Sequence, residues 1–162
     1  MLPSEPQPDQ RPDRWDDHVS VYEDVFEPFT LQFAKQAIAR LGPIVGKKIL
    51  DVGAGSGGAA LALAALGADV SATDASVNMC ARIAERARER GVTLSAPVMD
   101  GQALQFADDT FDAALSVFGV ILFPDAVRGL AEMRRVVRPG GCVAVVTWTE
   151  PQAYELDRKS VV

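Results

Sequence analysis

The sequence predicts an α/β fold: a doubly wound, mostly parallel sheet of five strands with helices on both faces and a helical cap ahead of it. Two observations carry this. Apolar, β-branched runs alternate with helix-forming runs from residue 47 to residue 148, and repeated strand-helix-strand units with right-handed crossovers build parallel sheets. The run Ile49-Leu50-Asp51-Val52-Gly53-Ala54-Gly55-Ser56-Gly57-Gly58 then joins a strand to a helix through a glycine turn. Ligands of such sheets lie beyond the carboxyl ends of the strands.

In chain order, residues 1–14 hold Pro3, Pro6, Pro8 and Pro12 and no apolar period, which predicts a disordered leader. A single domain, 15–150, follows. Its first part, 15–46, places Val25, Phe26, Phe29, Phe33, Ala37, Ile38 and Leu41 at helical spacing, as two helical pieces broken near Pro28. The sheet unit, 47–150, reads as strand 47–52, helix 57–66, strand 69–73, helix 76–90, strand 92–98, strand 111–117, helix 125–137 and strand 142–148. Three apolar residues around one acid suit a central strand at 47–52, and the alanines and leucines of 59–66 are strong helix formers. Gly67, Gly91 and Pro139-Gly140-Gly141 stand where helices end. Residues 151–162 form a tail.

Composition narrows the function. The 162 residues are 48% apolar and 23% charged, as in a folded globular domain. No apolar run approaches the ~20 residues of a membrane span. The first ten residues show no basic patch followed by an apolar stretch, so the expected location is the cytoplasm. Cys80 and Cys142 lack metal-type spacing, which fits a reducing compartment and predicts neither disulfide nor metal. A net charge of −6 has the wrong sign for nucleic acid. The run Arg82, Glu85, Arg86, Arg88, Glu89, Arg90 reads as a solvated helix face.

The glycine turn alone also satisfies a nucleotide fingerprint, Gly53-x-Gly55-x-x-Gly58. Its context is more specific. Asp74 ends the second strand about 20 positions after Gly53, where an acid can accept both hydroxyls of a ribose. The competing reading makes it a turn or N-cap acid before Ala75-Ser76.

In these residues the chain resembles the class I S-adenosylmethionine-dependent methyltransferases, in the branch of the ubiquinone and menaquinone C-methyltransferases. Five stretches carry the resemblance, which covers roughly residues 15 to 150: Leu50 to Gly57, Asp74 to Met79, Met99 to Phe106, Phe111 to Ser116, and Glu132 to Gly141. It implies a Rossmann-like fold, S-adenosylmethionine as cofactor, and methyl transfer to a small-molecule acceptor. By that likeness Gly53, Ala54, Gly55 and Gly57 would pass beneath the methionine and ribose, and Asp74, followed by Ala75, would hold the ribose hydroxyls. Met79 would pack on the adenine, and Asp100 would accept its amino group with Gly101 and Gln102 along the same edge. Ser116 to Phe118 would close the other side. Asp51 would lie under the amino acid end of the cofactor, or cap the glycine turn as a buried acid; the two readings are compatible. Tyr22 would cover the methionine end.

Methyl transfer from a sulfonium is a direct displacement, which demands placement and dryness but no metal and no covalent nucleophile. His18 is the chain's one histidine and the candidate base if an acceptor proton has to leave; its other reading is a solvated surface group. Trp15, Phe26 and Phe29 would line an acceptor pocket or pack the cap on the sheet. The likeness breaks after strand 142–148, where family members add a helix and an antiparallel strand pair. The chain therefore reads as truncated, with an apolar edge at 142–148 that a partner or second copy would cover. The alternatives are a cofactor-binding fragment or interaction module without turnover, and a nicotinamide-binding domain, against which the acid inside the first strand and Asp100-Gly101 both speak. Carbon, nitrogen and oxygen acceptors stay open.

Overall fold

A computed structural model describes residues 7–148. Four strands, β1 (Lys48–Val52), β2 (Asp69–Thr73), β3 (Phe111–Val117) and β4 (Val137–Val146), pair in the order β2-β1-β3-β4, each pair parallel. β1 is central and its apolar residues are fully buried, as a strand covered on both faces requires. Side chains alternate across the sheet. Ile49 joins one core with Ala34, Ile38, Leu63 and Ile83, while Leu50 and Val52 join another with Phe111, Met133 and Val136.

Ahead of the sheet come α1 (Pro12–Asp16), α2 (Val19–Val21), a π turn (Tyr22–Phe26) and α3 (Glu27–Arg40). The crossovers are α4 (Gly58–Ala65), α5 (Val77–Arg90) and α6 (Ala126–Val136). Ser76 caps α5 by accepting from Met79 N at 3.0 Å, and Gly91 ends it in the left-handed region. Asp125 caps α6 through Arg128 N at 2.9 Å.

Five expectations are corrected. Strand 92–98 exists only as isolated bridges, Ser71 to Ser95 and Asp74 to Val98, so the sheet has four strands instead of five. Pro97 between those bridges has no N–H to extend the ladder. The cap is not broken near Pro28 but runs helical from residue 19 to residue 40. The helix widens just before the proline, where Glu27 N donates to Tyr22 O, five residues back, and Pro28 falls in the first turn of α3, the position a helix tolerates best. Within the span read as a disordered leader, 1–14, residues 8–10 form a 3-10 turn and residues 12–14 begin α1, which runs on to Asp16. Residues 1–6 and the tail lie outside the described residues.

The fourth correction is chemical. Arg86, read as part of a solvated face, is 4% exposed and lies against Glu27, itself 6% exposed. Its Nη1 and Nη2 donate to Glu27 Oε1 and Oε2 at 2.6 and 2.7 Å. Amphipathic spacing puts Arg86 on the inner face of α5 with Met79, Cys80, Ile83 and Ala87, which its run of charges had masked.

At the other end, β4 begins at Val137 and not at residue 142, because Pro139-Gly140-Gly141 forms an irregularity between two stretches paired with β3. It has β3 on one side only among the described residues, and it is half-buried beneath α3 and α6. Cys80 and Cys142 are both free thiols. No described helix is long and apolar enough to cross a membrane.

Replacing Glu27 by Leu leaves the Arg86 guanidinium buried without its carboxylate. The unfolding free energy measured by urea titration should fall by about 3–5 kcal/mol, and the double substitution Glu27→Leu with Arg86→Met should recover much of that loss.

Candidate functional site

The site grows from the turn after β1. Gly53 has φ 66° and a Cβ on it would lie 2.9 Å from Gly119 Cα; Gly55 has φ 56° and its Cβ would lie 2.7 Å from the Tyr22 ring. Both positions therefore need glycine for backbone reasons and for space. Three strand tips are laced together here. Asp74, just past β2, accepts from Gly55 N through Oδ2 and from Ser76 N through Oδ1, both at 2.9 Å. Ala54 N donates to Thr73 O at 3.0 Å, and Met99 N donates to Asp74 O at 2.9 Å. From β3, Ser116 Oγ donates to Val52 O at 2.7 Å and accepts from Val120 N at 3.1 Å.

Above the turn lies a cavity of about 340 Å³, within the range of small-molecule and cofactor sites. Of the residues assigned from the sequence, its wall contains Trp15, Tyr22, Phe26, Phe29, Gly53, Gly55, Asp74, Ala75, Met79, Gly101 and Phe118. Asp51 and Ala54 lie beneath the turn, beside a separate space of about 20 Å³, large enough for one water. Gly57 packs on Ile83.

The remaining assignments sit outside the wall. Asp100 is exposed and accepts from Gln102 N and Nε2 at 2.8 and 3.0 Å. It stands between Met99 and Gly101, both in the wall, so it is at the cavity rim on the same side as Asp74. Gln102 spends its Oε1 on Asp125 N. Ser116 is fully buried as a brace between strand tips. His18 is exposed, with Nδ1 2.5 Å from Arg14 O, and is not brought to the cavity. The cap of α5 is Ser76 and not Asp74, whose carboxylate instead bridges the turn to the start of that helix.

Several wall residues carried no signal in the sequence. Asp9, Gln10 and Pro12 come from the proline-rich start, and Gln10 Nε2 reaches Phe123 O at 3.5 Å. Phe123 fills the space that a Cβ on Gly101 or Gly129 would need, 2.4 and 2.5 Å away. Those two glycines were the only hint of it. Trp148 lies with its ring 4.4 Å from that of Phe118 and 6.0 Å from that of Phe29. Phe118 itself is held at φ 57°, a strained conformation for an aromatic residue.

The cap is fastened over this cavity. Asp16 Oδ1 accepts from Ser76 Oγ at 2.6 Å and Asn78 N at 3.0 Å, placing a carboxylate at the amino end of α5. Trp15 Nε1 donates to Asp9 O at 2.8 Å, and the Trp15 ring meets Tyr22 edge-on at 6.1 Å. Among the described wall residues there is no Lys, Arg or His, so the cavity brings no positive charge of its own.

Residues 49–141 match the family described as the methyltransferase domain. The chain is 41% identical over 124 residues to an uncharacterized protein of Mycobacterium tuberculosis, covering 72% of this chain and 45% of that one. It is 42% identical over 112 residues to a demethylmenaquinone methyltransferase of Corynebacterium kroppenstedtii, covering 69% and 46%. The chain thus spans about half the length of the curated relatives it matches. Among solved structures, a SAM-dependent methyltransferase from Aquifex aeolicus superposes with a TM-score of 0.72 at 20% identity, covering 83% of this chain and 73% of that one, a likeness of fold. With its central strands, its glycine turn and all three of its crossovers inside the matched span, the chain belongs to the methyltransferase-domain family.

Proposed function

We propose that this chain forms the cofactor half of an enzyme that moves the methyl group of S-adenosylmethionine to a small-molecule acceptor by in-line displacement at the sulfonium. The observation that carries this reading is the cavity itself. Its floor is a glycine turn open to backbone approach, one wall holds the Asp74 carboxylate, and the rest is mostly apolar and aromatic, with Asp9, Gln10 and Thr30 as its other polar side chains and no cation. Such a cavity fits a group that carries its own positive charge and no phosphate. When bound, the cofactor supplies an activated methyl group on a positively charged sulfur.

The residues then have distinct tasks. Asp74 keeps lone pairs beyond those used by Gly55 and Ser76, and these accept the ribose hydroxyls. Met79 and Ala75 form the surface against the adenine, with Met99 and Gly101 on the neighbouring strand tip and Asp100 at the rim to accept the exocyclic amine. Tyr22, Trp15 and Phe26 cover the methionine end and keep water from the reacting carbon. Burial pushes the Tyr22 phenol up to about 12, so it stays protonated and can donate a hydrogen bond at neutral pH. Phe29, Phe118 and Trp148 face the acceptor. The free Cys80 and Cys142 suit a reducing, cytoplasmic setting.

Asp51 answers to the same reading. Its Oδ2 is the one buried side-chain oxygen or nitrogen without a hydrogen-bond partner among the described residues. Burial first, then the charge of Asp74, pushes its carboxyl from an ordinary 3.8 up to about 7, against a small opposing effect of the Ala60 N–H. An acid left unsatisfied under the turn has capacity for the cofactor's ammonium group, reached directly or through one water.

Calorimetry with S-adenosylhomocysteine, beside turnover of labelled S-adenosylmethionine on an acceptor panel, tests the proposal. Binding with turnover supports it, binding alone reduces the chain to a cofactor module, and no binding overturns it. Asp74→Ala should weaken binding about tenfold to a hundredfold, since hydrogen bonds to a charged group contribute roughly 1.5–3 kcal/mol; an unchanged affinity removes Asp74 from the ribose.

For Asp51 the linkage has a definite sign. Its folded value lies above its unfolded one, so the folded chain holds the extra proton between about pH 4 and about 7 and loses stability as pH rises through that window. Asp51→Asn should therefore melt higher than the parent at pH 8, with the gap closing towards pH 4. Equal melting temperatures at pH 8 would count against the raised value.

A further inference from the structure

The cap and the glycine turn meet at a charged cluster that touches no part of the cavity. Ser56, in the turn, is 0% exposed, and its Oγ donates to Glu27 Oε1 at 2.7 Å. Arg86 Nη1, besides its bond to Glu27, donates to Ser56 O at 2.8 Å and to Ser56 Oγ at 3.1 Å. Its Nε lies 3.6 Å from Glu23 Oε1, and Glu23 in turn accepts from Arg82 Nε and Nη2, both at 2.8 Å. The Glu27 carboxylate also presses on the start of α4, where a Cβ on Gly58 would stand 2.8 Å from Glu27 Cδ.

A buried ion pair is poor support for stability, because apolar residues of equal volume serve as well or better. What an apolar cluster cannot do is aim a carbonyl. Arg86 has donors in fixed directions and reaches a helix carboxylate, a loop carbonyl and a loop hydroxyl at once. That loop residue sits between Gly55, whose N–H points at Asp74, and Gly57, which opens α4. On the cap side, Glu23 and Glu27 share a helical run with Tyr22 and Phe26, and Tyr22 O accepts from Glu27 N. The Tyr22 ring fills the space beside Gly55 that a side chain there would take.

We infer that Ser56, Glu27 and Arg86 are positioning residues for the cofactor turn: they lock the aromatic cap to the cavity floor so that both are set as one unit, and cofactor affinity depends on them although they contact no ligand. The inference rests on the cofactor reading given above. Ser56 is the informative member, since removing its hydroxyl leaves the Glu27–Arg86 pair and the Arg86 bond to the Ser56 carbonyl in place and cuts only the hydroxyl's two links between the turn and the cluster.

The experiment compares S-adenosylhomocysteine affinity with melting temperature in the parent, in Ser56→Ala, and in Arg86→Lys, which keeps the charge and loses the fork. Met133→Ala serves as control, because Met133 lies on the buried face of α6, in the core that contains no residue of the cap or of the charged cluster. Ser56→Ala and Arg86→Lys should each raise the dissociation constant about tenfold at a temperature where circular dichroism finds them folded. Met133→Ala should lower the melting temperature at least as much and leave the dissociation constant within about twofold. If the parent binds and both cluster variants match it, or if the control loses affinity in step with its melting temperature, the cluster is only a core ion pair. A parent without affinity overturns the cofactor reading and this inference with it. Should Ser56→Ala not fold, Arg86→Lys decides alone.

Discussion

A guanidinium taken out of water has to be surrounded by acceptors, and in this chain that requirement ties three distant segments together. Arg86 is supplied by α5, Glu27 by the cap, and the Ser56 carbonyl by the turn after β1. None can move far without stranding a buried charge, which is far more costly than losing an exposed contact. The placement of the cap follows. Once Glu27 is fixed, the π turn before it sets Tyr22 on Gly55, and Trp15 and Phe26 stand against Tyr22 in turn.

The sheet imposes the second constraint. Parallel strands bring their carboxyl ends to one side, so the loops that follow β1, β2 and β3 must share a small area. The structure laces them by hydrogen bonds between neighbours: Gly55 to Asp74, Met99 to Asp74, Ser116 to Val52. Each neutral bond of this kind contributes only about 0.5–1.5 kcal/mol net, and one to a carboxylate about 1.5–3, yet together they orient a carboxylate and a set of backbone groups towards one cavity. Close approach does the rest, since a side chain at Gly119 would collide with Val52 O and Gly53 O at 2.8 and 2.9 Å.

An aromatic shell closes the cavity opposite the turn. Phe29, Phe33, Phe118 and Trp148 contact one another from three different elements of the chain, with Phe118 bent into the left-handed region to reach the group. Phe26, Phe29 and Trp148 are still about half exposed, at 52%, 45% and 54%. The apolar wall is therefore open at its rim, on the side where an acceptor would enter under the proposed function.

The order of strands and helices, the glycine turn and the acid after β2 were all legible in the sequence, because each rests on a local pattern: period two or 3.6 in apolar residues, and glycine where φ must be positive. About half of the cavity wall was legible too, through the family resemblance carried by motifs at the strand ends, where a parallel sheet has its ligand side. Local pattern failed where the deciding partner was remote. The charge run of α5 concealed a buried Arg86 because its carboxylate lies 59 positions away, and edge pairing at 92–98 lapsed at a proline whose missing donor counts only beside a neighbour. Residues 8–16 acquired order from Ser76, Asn78 and Phe123, none of them nearby in the chain. Periodicity, then, determined which elements form and where a ligand would lie; burial, with the charges and aromatic rings it forces together, was decided only when those elements packed, because solvation of a side chain depends on everything that surrounds it.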